Sequence, residues 1–128
     1  MKHITTSSFA LLLTTFVIGC SQPSNTALFE RGDFAMWQGR WDDAATDFKK
    51  ATLQHPGDWE AQFKLGKCKM ELGEPQLASQ SLAIATALQP NNTEIADLYA
   101  KSLFDCGEQD KLFTYLSTRA SEQQTVRA

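Results

Sequence analysis

The chain has 128 residues, 42% hydrophobic and 21% charged. That is enough apolar material for one packed domain, too short for two ordinary ones, and unlike a disordered chain. Its 12 basic and 15 acidic side chains leave a net charge of −3, with the lysines and arginines scattered, which argues against phosphate backbones and hence nucleic acid as a partner.

In chain order, the first segment reads as an address. Lys2 and His3 precede an apolar run from Phe9 to Ile18 broken only by Thr14 and Thr15. This run is about half of the roughly 20 residues needed to cross a bilayer, but it has the size of the apolar part of a secretory signal. No A-x-A cleavage pattern follows. The run instead ends Val17-Ile18-Gly19-Cys20, which resembles the lipobox of bacterial lipoproteins. The resemblance implies a signal peptide over residues 1–19, cleavage after Gly19, and a diacylglyceryl thioether on Cys20, usually with acylation of the new amino group. No other cofactor is expected. Loss of Lys2 changes the net charge from −3 to −4. Two or three acyl chains, at about 0.8 kcal/mol per buried methylene, hold a protein at a membrane essentially permanently. Ser21 after the cysteine resembles lipoproteins sorted to the outer membrane of Gram-negative bacteria, facing the periplasm. Residues 21–24 make a tether so short that the first helix lies close to the lipid surface.

From residue 25 the sequence repeats itself with a period of 34. Nine identities relate residues 25–58 to 59–92: Ala27/Ala61, Phe29/Phe63, Gly32/Gly66, Met36/Met70, Gly39/Gly73, Ala44/Ala78, Ala51/Ala85, Thr52/Thr86 and Pro56/Pro90. Chance gives roughly two. A weaker third copy places Ala100, Phe104, Gly107, Leu112 and Leu116 in the columns of Gly66, Met70, Gly73, Ala78 and Leu82. The pattern predicts six helices in antiparallel pairs, near 25–38, 42–54, 59–72, 75–88, 93–106 and 109–120, followed by a polar, frayed tail over 121–128. Gly39, Gly73 and Gly107 fall where the chain reverses within a pair, and Asp58 and Asn92 are placed to cap the third and fifth helices. Gly32 and Gly66 lie inside helices, where a glycine costs about 1 kcal/mol against alanine; close approach of a neighbouring helix is the expected compensation.

At these columns the chain resembles the tetratricopeptide repeat family. Repeat two carries Leu65, Gly66, Gly73, Ala78, Leu82, Ala85 and Pro90 at the family's spacing, and repeat one carries Gly32, Gly39, Ala44, Phe48, Ala51 and Pro56. Repeat one departs at Arg31 and Ala35, where the family prefers Leu and Tyr, and repeat two at Lys69. Repeat three has Arg119 at a small-residue column and no closing proline. The resemblance implies an all-α, right-handed superhelical solenoid of about three helix-turn-helix repeats over residues 25–120. It also implies a concave groove lined by the first helix of each repeat. Its groove columns correspond to Phe29, Asp33, Met36 and Trp37, then Phe63, Lys64, Lys67 and Met70, then Asp97, Lys101 and Phe104. Aromatic, methionine and mixed charged residues suit an extended peptide or helix. Met36, Met70 and Phe104 share a column that serves equally for packing between repeats; Trp37 and Lys67 are the better groove candidates.

Other chemistry is sparse. His55 sits alone in a turn before Pro56, Asp42-Asp43 reads as a helix start, and the glycines follow no strand that could make a phosphate cradle. Cys68 and Cys106 occupy columns four positions apart on neighbouring first helices, too far for a bridge, so both are expected to be free. No metal site, small-molecule substrate or enzymatic activity is expected. The expectation is a monomeric, membrane-anchored adaptor that binds a protein partner in cell-envelope assembly. The alternative is a structural component that self-associates through the end of the third repeat. There Leu112, Phe113, Tyr115 and Leu116 cannot all point inward from one helix.

Overall fold

A computed structural model describes residues 21–127, and the proposed lipid-bearing Cys20 lies outside the described residues. Six helices follow one another: α1 Asn25–Trp37, α2 Trp41–Gln54, α3 Trp59–Glu71, α4 Pro75–Leu88, α5 Thr93–Asp105 and α6 Gln109–Val126. No strand occurs among the described residues. Each helix packs chiefly on its neighbours in the chain, and α3 also reaches α5. This is the arrangement of a repeat stack in which no pair buries its apolar stripe alone.

The helix ends follow from their sequence. The Asp58 carboxylate accepts from the backbone N–H groups of Glu60 and Ala61 at 3.1 and 3.2 Å, and Asn92 Oδ1 accepts from Ile95 N at 3.3 Å. Both satisfy N–H groups that have no partner within the helix. Ser24, expected to belong to the tether, does the same for α1 by accepting from Ala27 N at 3.2 Å. Within each pair the chain reverses at a glycine in the left-handed region: Gly39 at φ 72°, Gly73 at 72° and Gly107 at 79°.

The close approaches expected at Gly32 and Gly66 are present. A Cβ on Gly32 would fall 2.6 Å from Phe48 Cζ, and one on Gly66 2.6 Å from Leu82 Cγ. Phe48 and Leu82, both fully buried, each press the tip of a second helix's central side chain against the bare backbone of the first. Alanines 44, 51, 78 and 85, also fully buried, let the two helices come together on either side of that contact. Ala35, Ala44, Ala45, Phe48, Leu65 and Cys68 form a core continuous from the first pair into the second.

The third pair differs. No residue of α6 is buried, and Phe113 and Leu116 are 76% and 49% exposed. In place of a close-packed seam, Tyr99 and Tyr115 meet edge to face with centroids 4.8 Å apart, and Arg119 donates to Tyr115 Oη at 3.2 Å. The helix also runs to Val126 instead of ending near residue 120. No glycine or proline interrupts residues 109–126, so nothing stops the helix where the packing stops.

Candidate binding groove

The first helices supply the face expected to bind. On α3, Phe63 and Lys67 are one turn apart. On α5, Glu94, Asp97, Leu98 and Lys101 recur at the three- and four-residue intervals that share a helix face. The stack brings these two rows together around an open depression of about 300 Å³, lined by Phe63, Lys67, Glu94, Asp97, Leu98 and Lys101. Four of the expected residues, Phe63, Lys67, Asp97 and Lys101, thus converge on one site. Glu94 and Leu98 were missed, although their spacing from Lys101 and Asp97 marks the same face.

The remaining expected residues divide into other settings. Lys64 Nζ bonds both oxygens of Asp33, at 2.7 and 2.9 Å, and pairs with Glu60 at 3.0 Å. The same ammonium lies 5.1 Å from the centre of the Phe29 ring and 5.7 Å from that of Phe48. Partial burial acts to lower the Lys64 pKa, but the hydrogen bonds and charges of Asp33 and Glu60 outweigh it and hold the group above its ordinary value. Phe29, Asp33 and Lys64 therefore form an internal joint between α1 and α3, already satisfied without a ligand. Met36 packs against the core of the first two pairs, so in this repeat its column serves packing. Met70 is half-buried and Phe104 is 62% exposed, so the shared column has no single role.

Trp37 is 81% exposed and lies outside the depression. It stacks on Phe34, with centroids 6.0 Å apart and planes 22° from parallel. Phe34, itself 54% exposed, lies three residues before Trp37, and that interval was the available signal.

Charge in the depression is unevenly committed. Lys101 pairs with Asp105 at 2.6 Å, whereas Lys67 makes no ion pair among the described residues. Phe63 and Leu98 offer apolar surface in the same depression as that lysine and the carboxylates of Glu94 and Asp97. Such a site can hold an apolar side chain and orient the flanking chain by charge. Among the described residues there is no group of three or more His, Cys, Asp or Glu side chains that could hold a metal. Cys68 and Cys106 are both free thiols.

Helix pairs stacked with a 34-residue period and a groove on their first helices define a helical-repeat interaction scaffold. The sequence profile of the tetratricopeptide repeat family matches residues 35–102, more than half of the chain, and the chain belongs to that family. Proteins of this kind are generally interaction modules rather than enzymes. None of the curated proteins matches the chain. Among solved structures, the crystal structure of MamA protein is similar, with 27% identity and TM-score 0.68 over 73% of this chain and 51% of that one. The chain thus spans about half the length of that structure. A second MamA structure, from MSR-1, gives 22% identity and TM-score 0.67 over 82% and 60% of the two chains. The first tetratricopeptide repeat domain of Spaghetti (RPAP3), bound to the HSP90 peptide SRMEEVD, gives 15% identity and TM-score 0.61 over 81% and 96%.

Proposed function

We propose that the chain is a bacterial lipoprotein, anchored through an acylated Cys20, that uses the α3–α5 groove to recruit a protein partner in the cell envelope. The partner presents an extended or helical segment, with an apolar side chain for Phe63 and Leu98 and an acidic group for Lys67. The groove carries this reading, because it holds two apolar side chains and a lysine that makes no ion pair among the described residues. The RPAP3 domain, bound to the acidic HSP90 peptide, supports a peptide as the kind of ligand. For location, the lipobox and Ser21 support a periplasm-facing position, at the outer membrane in a Gram-negative cell.

The test is crosslinking in intact cells from a photoreactive residue at Phe63, with identification of the captured proteins. Lys67→Glu is expected to reduce recovery about tenfold or more, the scale of a lost charge-assisted contact, with helicity unchanged. Recovery equal to wild type would remove the groove from the proposal. Cys20→Ser is expected to release the protein from the membrane fraction, and retention would remove the anchor.

A second reading rests on α6. Counting back by 68, Phe113 and Leu116 occupy the columns of Ala45 and Phe48, which share a core with Leu65 and Cys68 of α3 in the first repeat and are 5% and 0% exposed there. Self-association through this face is the alternative. Light scattering at high micromolar concentration tests it, and a monomer rules it out.

A further inference from the structure

The residues that lead into α1 are held in place. Pro23 O accepts a hydrogen bond from Gln54 Nε2 at 3.0 Å, Ser24 caps α1, and Asn25 Nδ2 donates to Asp58 Oδ2 at 3.2 Å. The entering segment is therefore pinned to the end of α2 and the start of α3. Cys20 precedes Pro23 by three residues, and three residues span at most about 10 Å. Whatever Cys20 is attached to lies within that reach of the α2–α3 turn.

Successive helices are antiparallel, so this end of the stack also carries the C-terminus of α4. Exposed aliphatic side chains stand on the halves of α2 and α4 nearest that end: Leu53 is 73% exposed, Ile84 44% and Leu88 41%. Leu53, Ile84 and Lys49 line the near part of an open groove of about 500 Å³ between α2 and α4, which continues to Asp42 and Leu77 at the far end. Leu88 follows Ile84 by one turn on the same face. The opposite end holds the N-termini of α2, α4 and α6, where Asp43, Glu74 and Glu108 pair with Arg40, Lys69 and Lys111. It also holds the exposed Phe34–Trp37 stack, but Trp37 is about 18 Å farther along α1 than Asn25, well beyond the tether's reach.

Resting on the acylation of Cys20 proposed above, we propose that the pinned end of the stack lies against the phospholipid bilayer. Leu53, Ile84 and Leu88 enter the boundary between headgroups and acyl chains, and Lys49 faces the phosphates. The occupant follows from the tether: the lipid on Cys20 is already in the bilayer, and the chain between it and Leu53 is too short and too well held to let the stack swing away. The Phe34–Trp37 pair then faces away from the membrane, toward arriving proteins.

The experiment uses the full-length protein, matured in cells and reconstituted into phosphatidylethanolamine–phosphatidylglycerol vesicles. An environment-sensitive fluorophore is attached to Leu53→Cys or, at the far end, to Glu71→Cys, each in a Cys106→Ser background with Cys68 left buried. Both positions are exposed, so neither label disturbs the core, and far-UV circular dichroism checks this. Expected is a severalfold loss of quenching by aqueous iodide at position 53 on moving from detergent to vesicles, with no change at position 71. Equal quenching at both positions in vesicles, with acylated Cys20 verified by mass, overturns the orientation and leaves the anchor standing. A mass without acyl chains overturns both.

Discussion

The first two helix pairs and the third are built on the same 34-residue frame, yet they are held together by different means. In α2 and α4 the central side chain, Phe48 or Leu82, fits against a glycine of the preceding helix, and alanines flank it on both sides. In the third pair the glycine column holds Ala100, the first alanine column holds Leu112, and the second holds Arg119. Each substitution adds bulk at the line of contact, so α6 stands off from α5 and buries no residue. A tyrosine pair and an arginine fill the seam instead. Small residues at three columns, more than large ones at any, decide how much of a second helix a repeat can bury.

The comparison breaks most directly by removing the central side chain from each kind of pair. Phe48→Ala is expected to cost about 3–5 kcal/mol, because it removes a fully buried aromatic ring and leaves a cavity over Gly32. Leu116→Ala, in the same column but half-exposed, is expected to cost under about 1 kcal/mol. Urea unfolding of both variants measures the difference. Equal costs would mean that α6 is packed as tightly as α2.

A smaller effect comes from the glycine column. Gly66→Ala brings a Cβ to 2.6 Å from Leu82 Cγ, and overpacking of this kind costs about 1–3 kcal/mol, although alanine is the better helix former. Ala100→Gly is expected to lose about 1 kcal/mol of helix propensity and to recover none of it, since Leu112 and Arg119 still hold α6 away. A stabilising Gly66→Ala would show that Leu82 shifts freely, and the close fit would no longer explain the difference between pairs.

The frame itself was readable because turn glycines, buried alanines and capping Asp58 and Asn92 each answer a local backbone demand that recurs every 34 residues. Helix boundaries followed within a few residues for the same reason. The end of α6 did not, because helix ends are set by stop signals, and residues 109–126 contain none even where packing ceases. Of the residues expected by column to line the groove, Phe63, Lys67, Asp97 and Lys101 share one depression. Lys64 and Asp33 were assigned to the same surface but neutralise each other, and Met36 turned to the core. Column position specifies which way a side chain leaves its helix; it does not specify whether a neighbour such as Glu60 or Phe29 already occupies it. Gln54's hold on Pro23 was invisible, since it joins residues 31 apart with no periodic signal.

The two thiols sharpen the comparison at the smallest scale. Cys68 lies in the tightly packed core, fully buried, and burial pushes its thiol up to about 11 from an ordinary 9.0. Cys106, at the end of α5 in the loose third pair, is half-exposed. A thiol reagent at pH 8 is therefore expected to modify Cys106 promptly and Cys68 only as the core opens. The shift also couples folding to pH. The folded state holds the Cys68 proton more tightly than the unfolded state, so this contribution to stability is complete below pH 9 and is lost as pH rises from 9 toward 11. Lys64, whose pKa is also raised, loses its contribution only as pH passes above 10.5, so the two overlap at the upper edge. Cys68→Ala separates them: its unfolding midpoint in urea should fall less steeply than wild type's between pH 9 and 10, a window below the ordinary values of Lys64 and of Tyr99, whose pKa burial also raises. Equal slopes in that window would mean that water reaches the thiol, and that the seam between the first two pairs is looser than its burial indicates.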